Sequence, residues 1–283
     1  MGIHDLLPFL RKSAPQAFKS YAQWFNEQNK EIVKVAIDVP IFMYKFCYGV
    51  GTGVPLCNRM LKFAEDLKEK KIEPVFVFDG DKQLDAKDNE RHKRHINSVR
   101  QLELKILKLQ TALFLNCEGL EEEYEVDRTI VLGGRPIKED FAALKIALEN
   151  MGIEYKVAQY EAEAMCSKLC KDGYVDAILT EDSDSLAYLC NAVILNWEHE
   201  TKETVVSAEL AYKQLELTPE QFQELCIMFG NDFNDRIKNI GPVKAFALIK
   251  KHKSLEEIFK LYPTLDTTCM IRSKEIFSKN CYE

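Results

Sequence analysis

The chain has 283 residues, of which 46% are hydrophobic and 29% charged, and its net charge is −7. This composition is ordinary for a folded domain and excludes a disordered or collagen-like chain. No run approaches the roughly 20 apolar residues of a transmembrane helix, and MGIHDLLPFL lacks the basic segment of a secretory signal. We therefore expect an intracellular protein without membrane contact; nucleus, cytoplasm and viral factory stay open.

Short apolar runs alternate with helical patterns along the first two thirds of the chain. Runs rich in β-branched and aromatic residues predict strands at 33–37, 74–78, 153–157 and 176–179. Apolar spacing predicts helices at 56–70, 87–114, 138–151 and 161–171. Strands alternating with helices indicate an α/β fold with a mostly parallel central sheet flanked by helices.

The last third of the chain has a helical pattern. Thr218 is a good N-cap and Gln221 stands where a capping box requires it. The helix that follows ends at Gly230, and a second begins at Pro242, so the pattern predicts a helix-two-turn-helix element. Backbone N–H groups at the Gly241 start of the second helix can bind a phosphate.

Every predicted strand leads into a carboxylate. In a parallel sheet the C-terminal strand ends lie on one edge, where α/β proteins place their active sites. The candidates are Asp38, Asp79, Glu161, Glu163, Asp182 and Asp184, with Asp232 of FGNDF as a seventh. Each alone is more often a helix cap or a turn residue, but the repetition across strands predicts a shared site.

Several carboxylates in one cleft stay ionised only if cations neutralise them. The chain has 45 acidic and 38 basic residues, an excess equal to the seven candidates. Oxygen ligands without His or Cys suit Mg²⁺, with Mn²⁺ able to substitute. Two such ions roughly 3.5–4 Å apart stabilise the attacking and leaving oxygens in phosphodiester cleavage.

Two basic clusters, at 82–108 and 236–253, interrupt the acidic balance. Local basic clusters in an acidic chain are compatible with a phosphate ligand held at those places. The alternative is that each cluster is a solvated helix face.

Five motifs occur in chain order: MGIHDLLPFL, VAIDVPIFMYKF, VFVFDG, YEAEAMCSKLCKDGYVDAILTEDSDSLAY and FGNDFNDRIKNIGPVKAFALIKKHKSLEEI. They resemble the motifs of the flap endonuclease/XPG family of structure-specific 5′ nucleases, over most of residues 1–260. The resemblance implies a PIN-like α/β core, a duplex-gripping helix-two-turn-helix, and Mg²⁺-dependent hydrolysis near single-strand/double-strand junctions. The products would carry a 5′-phosphate and a 3′-hydroxyl. The resemblance is compatible with a divergent or viral member of this family.

The resemblance assigns all seven acids to metal-binding positions, with Asp38 and Asp182 also catalytic. Lys87 and Arg94 match paired basic residues that stabilise charge on the scissile phosphate, with Arg91 as a fallback.

Other positions match residues that contact DNA in the family. Gly2 matches a glycine beside the active site, and Tyr44 matches an aromatic that packs against the DNA, with a core role as the alternative. Gly241 and Lys244 of the helix-two-turn-helix are also expected to contact DNA.

The resemblance further divides the chain into five regions within one compact domain. These are an N-terminal nuclease region with the start of a basic arch helix (1–105), the arch end and linker (106–137), an internal nuclease region (138–217), the helix-two-turn-helix (218–262) and a C-terminal extension (263–283).

This sequence departs from the family pattern at several positions. Tyr160 replaces a small capping hydroxyl before Glu161, and Asn239 stands where glycine is usual, although Asn tolerates a left-handed turn. Arg236 replaces a hydroxyl residue that helps to hold K⁺ near the duplex, which puts that ion in question. The loop at 48–58 is short for a 3′-flap pocket, and no sliding-clamp motif is found.

Several interpretations stay open. The favoured one is a nuclease acting on branched or nicked DNA in replication, repair or recombination. A catalytically silent junction-binding scaffold and an RNA nuclease are the alternatives. Flap endonucleases, 5′ exonucleases and four-way-junction resolvases share these acids. We expect a monomer, or a dimer on DNA if the chain is a resolvase.

Overall fold

The computed structural model describes residues 2–82, 135–197 and 204–278, and a seven-stranded sheet runs through them. The strands are β1 (Phe18–Ser20), β2 (Val33–Asp38), β3 (Ile72–Phe78), β4 (Tyr155–Val157), β5 (Ala177–Leu179), β6 (Val193–Leu195) and β7 (Thr204–Val206). Their order is β1-β7-β6-β5-β2-β3-β4. The pairs from β6 to β4 are parallel, and β7 pairs antiparallel with both β6 and β1. The predicted mostly parallel sheet is confirmed.

The four predicted strands are β2, β3, β4 and β5, with ends that differ by no more than two residues. Sequence analysis missed β1, β6 and β7, each only three residues long. They pair towards one edge of the sheet, β7 antiparallel with both β6 and β1, outside the alternation of strands and helices that revealed β4 and β5, which are equally short.

Helices cover the sheet on both faces, as predicted. They are α1 (Leu6–Ser13), α2 (Tyr21–Glu27), α3 (Val39–Val50), α4 (Val54–Glu69), α5 (Lys138–Asn150), α6 (Ala162–Lys171), α7 (Asp184–Ala187), α8 (Ala208–Gln214), α9 (Pro219–Phe229), α10 (Pro242–His252), α11 (Leu255–Phe259) and α12 (Thr268–Ser278). On β2, Ala36 faces a core with α1, α6 and α9, whereas Val35 and Ile37 face a second core with α3, α4 and α5. This alternation explains why both faces are apolar.

The predicted helix-two-turn-helix is α9, a connecting turn and α10. The side chain of Thr218 accepts the N–H of Gln221, and the Gln221 side chain accepts the N–H of Thr218, so the predicted capping box is confirmed. Helix α9 ends at Gly230, with φ of 83°. Asn239 has φ of 64°, which confirms the left-handed turn expected there.

Helix α12 was not predicted, because residues 263–283 gave no clear amphipathic pattern. Its Lys274 forms ion pairs with Glu224 of α9 and Glu256 of α11. The ring of Phe277 packs against Tyr188 and Phe233. Part of the predicted C-terminal extension is therefore a helix packed against the helix-two-turn-helix.

The predicted helix at 87–114 lies outside the described residues. In the part of the chain that is described, no helix combines the length and apolar character needed to cross a membrane.

Candidate active site

Six of the seven candidate acids lie at the edge of the sheet where β2, β3 and β5 end. Asp38 is the last residue of β2, Asp79 follows β3, and Glu161 and Glu163 lie at the start of α6. The other two, Asp182 and Asp184, follow β5 and lead into α7. Four of the six are buried, with exposures of 6% for Asp38, 9% for Glu163, 7% for Asp182 and 1% for Asp184.

A hydroxyl group between two strand ends connects three of these acids. Thr180 Oγ1 donates a hydrogen bond to Asp38 Oδ2 at 2.9 Å and accepts the N–H of Asp182 at 3.1 Å. Asp182 Oδ1 in turn accepts the N–H of Asp184 at 3.1 Å. The threonine therefore fixes the end of β2 relative to the loop after β5 without adding charge.

The start of α6 is held by residues from two other elements. Asp79 Oδ1 accepts the N–H of Ala162 at 2.8 Å, and Ser185 Oγ donates to Glu163 Oε1 at 3.0 Å. Glu161 is the N-cap residue, but its side chain does not cap the helix. The N-cap position is therefore Glu161 and not, as the sequence pattern suggested, Tyr160, and Asp79 satisfies one of the free N–H groups of the first turn in place of a capping side chain.

Gly80 allows Asp79 to reach α6. A Cβ on Gly80 would lie 2.2 Å from the carbonyl oxygen of Ala158 and 2.3 Å from that of Gln159. The Gly80 N–H also donates to the Tyr160 carbonyl at 2.8 Å. Sequence analysis missed this role, although a glycine directly after a strand-end acid signals a close backbone approach.

The N-terminal segment (residues 2–5) lies against the same edge. Gly2 has φ of 98°, and a Cβ there would lie 2.1 Å from Asp182 Oδ1. The N–H of Ile3 donates to Ser183 Oγ at 2.9 Å, and the N–H of His4 donates to the Gly230 carbonyl at 3.0 Å. This segment therefore joins the acidic edge to the turn after α9.

Asp232, the seventh candidate, lies in that turn after α9. Its neighbours are fixed by a buried amide network. Asn234 Nδ2 donates to the Ile227 carbonyl at 2.9 Å, and Asn234 Oδ1 accepts from Asn231 Nδ2 at 2.9 Å and from Ser273 Oγ at 2.7 Å.

Glu181 is adjacent to the candidate acids in sequence but points elsewhere. Its carboxylate contacts Lys45 Nζ at 3.0 Å and accepts the N–H of Asn196 at 3.2 Å. Of the three carboxylates in LTEDSDSL, only Asp182 and Asp184 contribute to the acidic edge.

The acids raise the pKa values of two nearby buried thiols. Burial raises the pKa of the Cys166 thiol well above its usual value, and the negative charges of Asp38, Glu163 and Asp79 raise it further. Burial followed by the charge of Asp184 does the same to the pKa of Cys226. The charges that act on the Cys166 thiol therefore come from three different elements: the end of β2, the residue after β3 and the start of α6.

The donor atoms at the acidic edge decide whether a divalent metal ion could bind there. Among residues 2–82, 135–197 and 204–278, no group of three or more His, Cys, Asp or Glu side chains is arranged as a metal site requires. The donors at the edge are carboxylate oxygens, several of them buried, and this set fits Mg²⁺ or Mn²⁺ in chemistry. In the structure these oxygens accept hydrogen bonds from Thr180, Ser185 and backbone N–H groups.

Three of the candidate DNA contacts within the described residues are exposed, whereas Gly2 is half-buried beside Asp182. Tyr44 is 48% exposed on α3, which excludes the alternative core role. Gly241 is the N-cap of α10, and Lys244 lies exposed in its first turn. Lys87, Arg91 and Arg94 lie outside the described residues.

Comparison with known proteins identifies the family. The model of the XPG N-terminal domain matches residues 1–101, and that of the XPG I-region matches residues 152–232. Flap endonuclease 1-2 of Paramecium tetraurelia is 34% identical over 284 residues, covering 92% of this chain and 67% of that protein. The chain belongs to the flap endonuclease/XPG family. As a member of this family it is a nuclease that hydrolyses phosphodiester bonds of DNA.

Solved structures show the same fold. The catalytic core of Rad2 in complex with a DNA substrate superposes with a TM-score of 0.65 at 21% identity, covering 99% of this chain and 79% of that one. The Holliday junction-resolving enzyme GEN1 in complex with product DNA and Mg²⁺ gives 0.62 at 17% identity, covering 97% and 64%. The flap endonuclease/XPG chain therefore has the predicted PIN-like nuclease core.

Proposed function

We propose that this chain is a divalent-metal-dependent, structure-specific 5′ nuclease that cuts branched or nicked DNA near single-strand/double-strand junctions. Its products would carry a 5′-phosphate and a 3′-hydroxyl. The observation that carries the proposal is the convergence of six carboxylates, from the ends of three strands and the start of α6, on one edge of the sheet. Four of them are buried there, which is costly for ionised groups unless cations accompany them.

The metal cofactor in this proposal is a pair of Mg²⁺ ions, for which Mn²⁺ can substitute. Asp38, Asp79, Glu161 and Glu163 would hold one ion. The remaining acids, Asp182, Asp184 and Asp232, would hold the other. When bound, such ions polarise the scissile phosphate and lower the pKa of a water molecule so that it can attack.

The chain's own residues keep the carboxylates in position. Thr180 fixes Asp38 and Asp182 relative to each other, and Ser185 fixes Glu163. Gly2 leaves the space beside Asp182 that any side chain would fill. These contacts support an acidic edge whose strand ends are held in place, so that the adjustment on metal binding is confined to the carboxylate side chains.

Basic residues beyond the described ranges complete the proposed chemistry. Lys87 and Arg94 would stabilise negative charge on the scissile phosphate, with Arg91 as the fallback. Their support is the family resemblance and the basic character of residues 82–108.

Duplex DNA would bind along the helix-two-turn-helix. Gly241 and the free N–H groups at the start of α10 offer a phosphate seat, and Lys244 adds an exposed positive charge there. Tyr44, exposed on α3 shortly after Asp38, would pack against the DNA near the cut. The division into five regions, with 218–262 as the duplex-binding region, is retained as part of this proposal.

A labelled 5′-flap DNA duplex tests the proposal. We expect one main cut near the junction in Mg²⁺ or Mn²⁺, none in EDTA, and a loss of about 10³-fold or more in single-turnover rate for Asp38→Asn. A matched RNA flap should be cut far more slowly. Junction binding without metal-dependent turnover would instead support a silent scaffold, although all seven acids are present in this chain.

Cleavage of three DNA substrates, a 5′ flap, a nicked duplex and a four-way junction, distinguishes flap endonuclease, 5′ exonuclease and resolvase activity. A flap endonuclease prefers the first, a 5′ exonuclease cuts the second progressively, and a resolvase makes paired cuts in the third. Light scattering on the four-way junction separates a monomer from the dimer that a resolvase needs.

A further inference from the structure

Arg236 makes two contacts in the turn between α9 and α10. Its Nε donates to the carbonyl oxygen of Phe229 at 3.0 Å, and its Nη2 forms an ion pair with Asp5 Oδ2 at 2.8 Å. Phe229 is the last residue of α9, so its carbonyl is one of those left without an intrahelical donor at a helix C-terminus. A guanidinium is favoured there because this end of the helix dipole is negative.

Protein donors also occupy the neighbouring carbonyl oxygens of the turn. The Ile227 carbonyl accepts the N–H of Gly230 at 3.0 Å and Nδ2 of Asn234 at 2.9 Å. The Gly230 carbonyl accepts the N–H of His4 at 3.0 Å. A cation placed beside these oxygens would be repelled by the guanidinium of Arg236. Carbonyls at this end of α9 are instead engaged by the protein itself.

The side chain of Asp5 pairs with Arg236 and does not cap helix α1. It is the N-cap residue of α1, where an aspartate commonly accepts an N–H of the first helical turn. Here Asp5 has φ of 58°, and its side chain makes no capping hydrogen bond. Aspartate tolerates the left-handed conformation better than most residues, and here its carboxylate contacts Arg236 instead of the first helical turn.

The backbone brings Arg236 directly against the end of α9. Gly230 has φ of 83°, and a Cβ on it would lie 2.8 Å from the backbone nitrogen of Arg236. The turn therefore closes over the C-terminus of α9, with the guanidinium placed at its carbonyls.

We infer that the guanidinium of Arg236 takes the place of the K⁺ ion that the family resemblance implies at the helix-two-turn-helix. The residue at the hydroxyl position does not fit a K⁺ site, because a guanidinium has only donors, offers no oxygen to a cation, and carries its own positive charge, which Asp5 neutralises. Duplex binding by this chain is consequently independent of K⁺. The part that concerns DNA rests on the proposed function, whereas ion binding by the protein does not.

Two measurements test this, each made in KCl and in LiCl at equal ionic strength. The first is the thermal unfolding midpoint of the free protein, which a bound ion raises by mass action. The second is the affinity for a 5′-flap duplex whose duplex arm covers α10. For the wild type we expect the same midpoint in both salts, and affinities equal within about threefold.

Arg236→Ser restores a hydroxyl and removes the built-in charge. We expect its midpoint and its duplex affinity to become higher in KCl than in LiCl, the affinity by more than about threefold. Arg11→Ser is the matched control, because it removes an exposed arginine at the end of α1 that stacks on Phe18. It should respond like the wild type.

A wild-type midpoint or duplex affinity that rises specifically in KCl would overturn the inference, and so would an Arg236→Ser protein that does not distinguish the two salts. If Arg236→Ser does not fold, the wild-type comparison still decides. Absence of duplex binding in both salts would contradict the proposed function, while the unfolding midpoints would still test the ion.

Discussion

Hydroxyl side chains alternate with carboxylates in LTEDSDSL, and the structure gives each a partner at the acidic edge. Thr180 bonds Asp38, Ser183 accepts the N–H of Ile3, and Ser185 bonds Glu163. A hydroxyl can orient a carboxylate without adding to the negative charge, and groups that orient ligands in this way affect metal affinity. The spacing of these hydroxyls is therefore part of the site.

Thr180→Val removes the hydroxyl while keeping the side-chain shape. We expect a single-turnover cleavage rate about 10–100-fold lower, with a higher Mg²⁺ concentration for half-maximal rate, because Asp38 and Asp182 lose their common anchor. Ser167→Ala is the control: this hydroxyl is also buried but has no hydrogen-bond partner among the described residues. An unchanged Mg²⁺ dependence for Thr180→Val would refute the anchoring role.

Gly2→Ala places a methyl group against the Asp182 carboxylate. Because the Cβ would lie 2.1 Å from Oδ1 and φ is positive, the segment must shift. We expect cleavage to fall by about 10²-fold or more while the circular dichroism spectrum stays unchanged. Gly49→Ala, within α3 and with nothing within 4 Å of its Cβ, should keep full activity. Equal activity of both variants would contradict the close packing at Gly2.

At the residue scale, the sequence predicts the acids better than the groups that hold them. Asp38 and Asp79 follow obvious apolar runs, so their position is readable from local pattern. Gly80 and Thr180 matter because of chain segments 78 and 142 residues away, respectively Ala158 and Asp38. Such contacts depend on how the strands are ordered in the sheet, which local pattern does not specify.

At the scale of elements, the turn after α9 depends on α12. Ser273 of α12 donates to Asn234, whose amide also bonds the carbonyl of Ile227 at the end of α9. Asp232 lies within this turn. A helix that local pattern did not predict thus supports one of the seven candidate acids.

Asn234→Ala should destabilise the fold and reduce activity together. It removes the acceptor of the Asn231 Nδ2 group, one of two acceptors near the Ser273 hydroxyl and one of two donors to the Ile227 carbonyl, at a cost of about 2–3 kcal/mol in the free energy of unfolding. Urea unfolding measures this, and a flap-cleavage assay the accompanying loss. Asn58→Ala, exposed on α4, is the control. A destabilisation no larger than the control's would show that the network is dispensable.

The carboxylate of Glu154, just before β4, should make the stability of the fold depend on pH. Burial opposes its charge, but hydrogen bonds from Tyr174, Lys34 and Lys156 outweigh burial and lower its pKa from 4.5 to about 2. A depressed folded pKa contributes stability that is present above the unfolded value and lost as pH falls through the folded one.

Glu154→Gln should therefore lower the free energy of unfolding at about pH 7 by about 1 kcal/mol, a figure reduced for solvent screening because the side chain is 33% exposed. The difference from wild type should shrink as pH falls from 4.5 towards 2. Glu73→Gln, at an exposed position of β3, should show no such trend. A difference that is constant with pH would exclude the ion-pair explanation.

At the scale of the whole molecule, the N-terminal segment joins the nuclease core to the helix-two-turn-helix. Ile3 bonds Ser183 beside the acids, His4 bonds Gly230, and Asp5 pairs with Arg236. A duplex held at α10 would therefore be positioned relative to the acidic edge through a few short, direct contacts. This explains why a conformationally special Gly2 and an uncapped Asp5 occur within one short segment.

Fold class and family could be predicted from the sequence, because ordered motifs spread over most of the chain are specific in combination. The antiparallel edge of β6, β7 and β1 could not. Its strands pair residues as distant as Phe18 and Val206, and local pattern does not specify which short runs pair over such a separation. The arrangement of the carboxylates around metal ions could not be predicted from local sequence pattern either, because it depends on side-chain positions that change when ligands bind.

The most direct test is the single-turnover rate of 5′-flap cleavage as a function of Mg²⁺ concentration for wild type, Asp182→Asn and Glu181→Gln. These neighbouring acids have different surroundings. Asp182 faces the acidic edge and accepts the N–H of Asp184, whereas Glu181 pairs with Lys45. We expect Asp182→Asn to lose about 10³-fold or more, and Glu181→Gln to keep the wild-type Mg²⁺ dependence. Equal losses in the two variants, or wild-type cleavage that persists in EDTA, would contradict the proposal that the converging carboxylates bind the catalytic metal.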